Sequence, residues 1–251
     1  MSRVVVYPDH EGLGRGGADL FAEQAGRAIA ARGRFTVALA GGETPRPVYE
    51  RLAGAEYRKC IDWSRVQVFF GDERCVPPQD PQSNYRMARM ALLDRVPLPT
   101  GNIHRIRGED DPERAAADYA RILQNTFGGE ASVGGPPPQG FDLIFLGMGD
   151  NGHTASLFPG LPAVSETTRW VMAQYVETEG RWRITLTPVI INAARLVAFL
   201  VSGAAKAEML QRVLEGPYQP EELPAQVIKP LRGELLWLVD AAAAARLRKD
   251  A

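Results

Sequence analysis

Phe141-Asp-Leu-Ile-Phe-Leu146 runs directly into Gly147-Met-Gly-Asp-Asn-Gly-His-Thr-Ala-Ser-Leu-Phe-Pro159. The first stretch is a nearly continuous apolar run rather than an alternating one, the pattern of a strand covered on both faces. The second, with its glycines and closing proline, sustains neither a strand nor a long helix. A buried strand that opens into a loop of polar groups is what an open α/β sheet places at its carboxyl edge.

The same pattern recurs on both sides. Val4-Val-Val-Tyr7, Phe35-Thr-Val-Ala-Leu39, Val66-Gln-Val-Phe-Phe70, Leu196-Val-Ala-Phe-Leu-Val201 and Leu235-Leu-Trp-Leu-Val239 read as further buried strands. Helical patterns at about 17–32, 45–53, 84–95, 112–127, 204–215 and 241–249 alternate with them, and the 204–215 pattern is closed by Gly216-Pro217. Such alternation predicts βαβ units and a mostly parallel sheet with flanking helices. The Gly- and Pro-rich segment 128–140 breaks both patterns. Because the strand-helix rhythm continues beyond it, we read it as a flexible surface insertion within one domain spanning residues 1–251.

With 251 residues the chain can bury a sizeable core without disulfide or metal support. Its 45% hydrophobic and 24% charged residues are those of an ordinary globular protein. A net charge of −1 provides no global field for nucleic acid or anionic lipid, so an anionic ligand must be held by a local cluster. Neither nucleic acid nor membrane is expected as a partner. The two cysteines, Cys60 and Cys75, form no secreted-type disulfide framework and no metal-ligand spacing, so a reducing compartment and no metal are expected. The opening Met1-Ser-Arg-Val-Val-Val-Tyr-Pro8 is too briefly apolar for a signal-peptide core, which makes the cytoplasm the expected location.

Several strand ends carry candidate chemistry. Gly41-Gly-Glu-Thr-Pro45 lets the backbone turn sharply, with Thr44 suited to cap a helix and Pro45 to open it, leaving free N–H groups for an anion. Alone, it is equally well read as a capped turn with nothing bound. Gly71-Asp-Glu-Arg74 sets three charges at another strand end, and Ser83-Asn-Tyr85 follows as a helix start able to add polar contacts. Of the three histidines, His153 sits in the glycine loop, where an imidazole titrating near pH ~6.5 can take a proton from water. The loop's glycines leave backbone N–H groups to face an oxyanion. His104, in an expected strand over 102–106, and His10 read as structural. Arg183, in Arg181-Trp-Arg-Ile-Thr-Leu-Thr187, and Lys206, in Ser202-Gly-Ala-Ala-Lys-Ala207, are positioned as anion contacts. There is no Gly-x-x-x-x-Gly-Lys phosphate loop, and Gly147-Met-Gly-Asp-Asn-Gly152 lacks the sustained helix that a dinucleotide fingerprint requires.

Taken in order, these segments resemble the 6-phosphogluconolactonase family, over roughly residues 40–240. The resemblance implies a Rossmann-like sheet similar to the sugar-phosphate isomerase/deaminase fold. It also implies hydrolysis of 6-phospho-D-glucono-1,5-lactone in the oxidative pentose phosphate pathway, with no cofactor and a small phosphorylated lactone as partner. A monomer or weak homo-oligomer is expected. Carried over, Gly41, Gly42 and Thr44 would hold the phosphate with Lys206, while Arg74 and Arg183 line the anionic pocket. His153 would be the base, with Asp72 and Asn151 in the catalytic set.

Two positions depart from the family. Asn151 replaces the usual Asp, so it can orient the ring but not stabilise an imidazolium by charge, for which Asp150 and Asp72 are the alternatives. Glu43 replaces a small residue and is tolerable if its carboxylate faces solvent. Two rival readings are a glucosamine-6-phosphate deaminase/isomerase-like enzyme and a non-catalytic sugar-phosphate sensor. In the deaminase relatives a glutamate five residues after the histidine pairs with it, whereas Phe158 stands here.

Overall fold

The computed structural model describes residues 2–128 and 135–248. Residues 129–134, the centre of the expected insertion, lie outside the described residues. Of the remainder of that segment, the Gly135 carbonyl accepts from Trp170 Nε1 at 2.8 Å.

The apolar runs become a six-stranded parallel sheet of β1 (Ser2–Tyr7), β2 (Phe35–Leu39), β3 (Val66–Phe70), β5 (Leu143–Leu146), β8 (Leu196–Val201) and β9 (Glu234–Asp240). Their spatial order is β1-β9-β8-β5-β2-β3. Every residue of β2, β5 and β8 is buried, as continuous hydrophobicity predicts. β1 departs from the expectation of a buried strand: it lies at the sheet's edge, pairs only with β9 and exposes Val6.

A second, antiparallel sheet consists of β4 (Asp72–Arg74), β7 (Arg181–Leu186) and β6 (Val171–Val176). Gly71 joins the two sheets, since its N–H donates to Leu39 O of the parallel sheet and its carbonyl accepts from Leu186 N of the antiparallel one. The expected strand over 102–106 does not form. Ile103 makes a single bridge to Val68, and His104 stacks on Phe69 at 4.4 Å and bonds Gln67 at 2.8 Å, in the structural role expected of it.

Helix α1 (His10–Arg32) starts well before residue 17. Asp9 caps it by accepting from Gly12 N at 2.7 Å. Its early glycines interrupt the apolar pattern because they are contact points: a Cβ at Gly16 would stand 2.1 Å from the Tyr7 ring. α2 (Arg46–Leu52) and α4 (Asn84–Ala91) follow, with the short α3 (Ala55–Arg58) between them. α5 (Pro112–Phe127), α6 (Pro188–Ile191) and α7 (Ala207–Glu215) complete the helices among the described residues. In place of the helix expected over 241–249, the described residues form a 3-10 turn at Ala243–Arg246 that packs on α7, with Asp240 accepting from Ala243 N at 2.7 Å, and residue 249 lies outside the described residues. No described helix is long and apolar enough to cross a membrane.

The amino ends of β2 and β5 are tied by one buried carboxylate. Asp142 accepts from Thr36 N at 2.8 Å, Thr36 Oγ1 at 3.0 Å and Arg32 Nη2 at 2.7 Å. Asp142→Ala should destabilise the fold by about 2–3 kcal/mol, because charge-assisted bonds are lost and buried donors are orphaned. Urea unfolding measures the loss, and specific activity at low denaturant should be unchanged.

Candidate active site

The parallel register sets the carboxyl ends of neighbouring strands level, with Leu39 beside Phe70 and Leu146 beside Phe199. The loops that follow enclose a cavity of about 310 Å³. His153, Asp72, Gly41, Gly42, Thr44, Arg74, Arg183 and Lys206 all line it. Asn151 does not line it and contacts His153 instead.

His153 Nδ1 lies 2.6 Å from Asn151 Oδ1, which also accepts from His153 N at 3.2 Å. An amide oxygen only accepts, so Nδ1 carries the proton and Nε2 keeps the basic lone pair. One face of the imidazole stacks on Phe158, with ring centroids 4.2 Å apart. Gly149 also packs against the ring, where a Cβ would stand 2.0 Å from His153 Cε1. Burial pulls the His153 pKa down to about 4. Asp72 and Asp150 oppose that shift, while Arg183 and Lys206 reinforce it. The ring is therefore neutral throughout the physiological range.

Neither carboxylate touches the imidazole. Asp150 pairs with Lys206 Nζ, which holds the Asp150 carboxyl below its ordinary range. Asp72 accepts from Ser156 Oγ at 2.6 Å and Asn84 Nδ2 at 3.0 Å, and its Oδ2 lies 3.7 Å from Arg183 Nη1. Both act on His153 only through space.

Strand alternation in β4 puts Asp72 and Arg74 on the cavity side and turns Glu73 away, buried. Glu73 accepts from Arg74 N, Asn84 N, Tyr85 N and Ser83 Oγ, which anchors α4 to the site. Desolvation still raises its pKa. Ser83 caps α4 as its sequence suggests, accepting from Arg86 N at 3.1 Å. Arg74 donates to Gln82 O at 2.6 Å. Arg183 is buried between Asp72 and Glu179.

In the glycine turn, Gly42 needs its φ of +91°, and the missing Cβ of Gly41 makes room for Asn84 Oδ1, which would lie 1.8 Å from it. Thr44 does not cap α2. The cap position falls to Pro45, because the chain turns through residues 43–45 before the helix begins. The Glu43 carboxylate faces solvent beside Arg46, 3.5 Å away. The expected glycine oxyanion donors are partly engaged: Gly149 N donates to His153 O at 2.9 Å and Gly152 N to Gly149 O at 3.1 Å. Asp240 accepts from Gly203 N and Ser202 Oγ, just before the turn that carries Lys206, and Lys206 N donates to Gly203 O at 3.0 Å. Among the described residues no group of three His, Cys, Asp or Glu is arranged to hold a metal.

Of the lining residues, Asn84 belongs to the Ser83-Asn-Tyr85 helix start and Ala155 to the histidine loop, whereas Glu179 went unread in the sequence. Asn84 presents a buried Oδ1 without a partner among the described residues, and Ala155 adopts a φ of +48°. Glu179 reaches the cavity from the turn between β6 and β7. Asn84 was foreshadowed by the Ser83-Asn-Tyr85 helix start, whereas Glu179 depends on a hairpin whose first strand carried no recognised signal.

A sequence model described as glucosamine-6-phosphate isomerases/6-phosphogluconolactonase matches residues 8–237. The chain belongs to this family. Within the family, a 6-phosphogluconolactonase of Synechocystis sp. is 45% identical over 223 residues, covering 88% of each chain. One from Nostoc sp. is 43% identical over 245 residues, covering 97% of this chain and 98% of its own. The structure of 6-phosphogluconolactonase from Trypanosoma cruzi matches with a TM-score of 0.87 at 27% identity, covering 98% of this chain and 97% of that one.

Two outcomes follow from the geometry around the family's histidine. Gly149→Ala should displace the His153 ring and lower turnover by about 10²-fold with little change in stability, the effect of misplacing a ring that the reaction needs in position. Steady-state kinetics beside a melting curve separates the two effects. Asn151→Asp should raise the His153 pKa by about one to two units, because a carboxylate stabilises the imidazolium. An imidazole takes a proton only when neutral, so a rate that depends on neutral His153, whose pKa is drawn down to about 4, should lose its acid limb at a higher pH in this variant, as a kcat/KM profile would show.

Proposed function

We propose that this chain hydrolyses 6-phospho-D-glucono-1,5-lactone to 6-phospho-D-gluconate, the oxidative pentose phosphate step that its relatives' name denotes. One observation carries the reading: a neutral imidazole, with its Nδ1 proton held by Asn151, lines a cavity bearing Arg74, Arg183 and Lys206. The cations take the phosphate and leave Nε2 free to act on water.

His153 Nε2 removes a proton from water as the oxygen attacks the lactone C1 carbonyl. The tetrahedral intermediate then collapses, the ring C–O bond breaks, and the proton passes from the imidazolium to the departing oxygen. No covalent enzyme intermediate is required, because a lactone is already an activated ester. Phosphate binding supplies the orientation. Gly41, Gly42 and Thr44 line the same cavity and would complete the phosphate subsite. Asp72 moderates the field at His153 without touching it. Two unpaired cysteines, Cys60 and Cys75, suit the cytoplasm as the site of the reaction.

The rival readings fit less well. A deaminase needs a carboxylate against the histidine, and the group stacked there is Phe158. A sensor would need the cations but has no use for a base kept neutral and oriented.

His153→Ala should lower turnover of freshly generated 6-phosphogluconolactone by about 10²–10⁴, the usual contribution of a general base, while 6-phosphogluconate still binds. Unchanged turnover, corrected for spontaneous hydrolysis, would remove the assignment. The unphosphorylated lactone should be a far poorer substrate, and equal rates on the two would refute phosphate recognition.

A further inference from the structure

Arg183 faces two carboxylates at once: its Nη1 lies 3.7 Å from Asp72 Oδ2, and its Nη2 donates to Glu179 Oε2. In the β4–β7 register it also stands directly opposite Arg74. Like charges in that position repel each other and call for an anion nearby. Yet one guanidinium against two carboxylates leaves the spot negative, and a phosphate entering there gains little until one carboxylate withdraws. The two carboxylates differ in how they are held. Asp72 is buried and accepts from Ser156 Oγ at 2.6 Å and Asn84 Nδ2 at 3.0 Å. Glu179 sits on the 3-10 turn Glu177–Glu179 between β6 and β7. Its carbonyl accepts from Arg181 Nε at 3.2 Å, but among the described residues its carboxylate bonds to Arg183 alone. With 30% of its side chain accessible, against 6% for Arg183, Glu179 can turn out to water while Arg183 stays in place. Both residues line the catalytic cavity. The other two cations there lack such a competitor: Arg74 donates to the uncharged Gln82 carbonyl, and Asp150, on Lys206, is 83% accessible and already screened by water.

We propose that Glu179 is a displaceable counter-ion, which competes with the ligand's phosphate for Arg183 and so sets how loosely substrate and product are held. An entering phosphate takes the guanidinium and Glu179 turns to solvent; as the product leaves, the carboxylate returns. The competition acts on charge alone, so it weakens the hold on substrate and product without taking part in the bond-breaking steps. The inference rests on the lactonase reading and assigns to that site a residue that limits affinity.

Calorimetric titration of the full chain with 6-phosphogluconate and with inorganic phosphate tests it. Glu179→Gln keeps the size of the side chain and removes its charge. It should tighten both ligands about 5- to 10-fold, as expected when a like charge beside a bound anion is removed. KM for the lactone should fall by a similar factor with kcat no higher, because a competitor lost equally from substrate and transition state changes binding alone. Glu179→Asp, which keeps the charge, should stay near the wild type. Glu177→Gln, the same change in net charge at an exposed residue outside the cavity, should bind like the wild type. A residue that merely positioned Arg183 would give the opposite sign, so unchanged or weaker binding in Glu179→Gln overturns the proposal, as does equal tightening in Glu177→Gln. Lactone turnover with unmoved affinities would overturn this inference alone. Failure of the wild type to bind either ligand would overturn it together with the lactonase reading.

Discussion

Two adjacent carboxylates, Asp72 and Glu73, leave water together where the chain steps from the parallel sheet into the antiparallel one. Burying two charges side by side is costly unless every lone pair finds a donor. The donors come from three directions: the first turn of α4, Ser156 on the histidine loop, and the backbone of β4 itself. Meeting that demand draws the sheet junction, α4 and the histidine loop to one point. Arg183 adds the countercharge. The cavity is the space left when these elements are held at that distance.

His153 shows how such a frame sets chemistry. Its neutrality comes first from desolvation, and the surrounding charges pull in opposite directions, with Asp72 and Asp150 against Arg183 and Lys206. Asn151 supplies direction without charge. A carboxylate in its place would give a stronger base that holds its proton at a higher pH. An amide leaves the ring neutral over a wider pH range, with its Nε2 lone pair always available. Phe158 and Gly149 restrict the ring from its two sides and do for its position what Asn151 does for its tautomer.

The parallel sheet was legible because strands covered on both faces must be apolar throughout, and runs such as those of β2 and β8 admit no other reading. The loops were legible for a related reason: glycines and charges directly after such strands have little structural use. What escaped notice depends on contacts remote in sequence. β4 is three residues long and is defined by its pairing with β7. The start of α1 was hidden because Gly16 serves a Tyr7 contact that no periodicity records. Thr44 looked like a cap, yet the chain needed one more turn before α2. Glu179 was invisible until β6 and β7 paired.

The strand order has a consequence for how the protein is made. β1 pairs only with β9, the last described strand in the chain. During synthesis β1 therefore emerges with its hydrogen-bonding edge open and gains its partner only once residues 234–240 have been made. The nascent chain thus carries an unfinished parallel sheet until β9 slots between β1 and β8, and the N-terminal strand is held only from that point on.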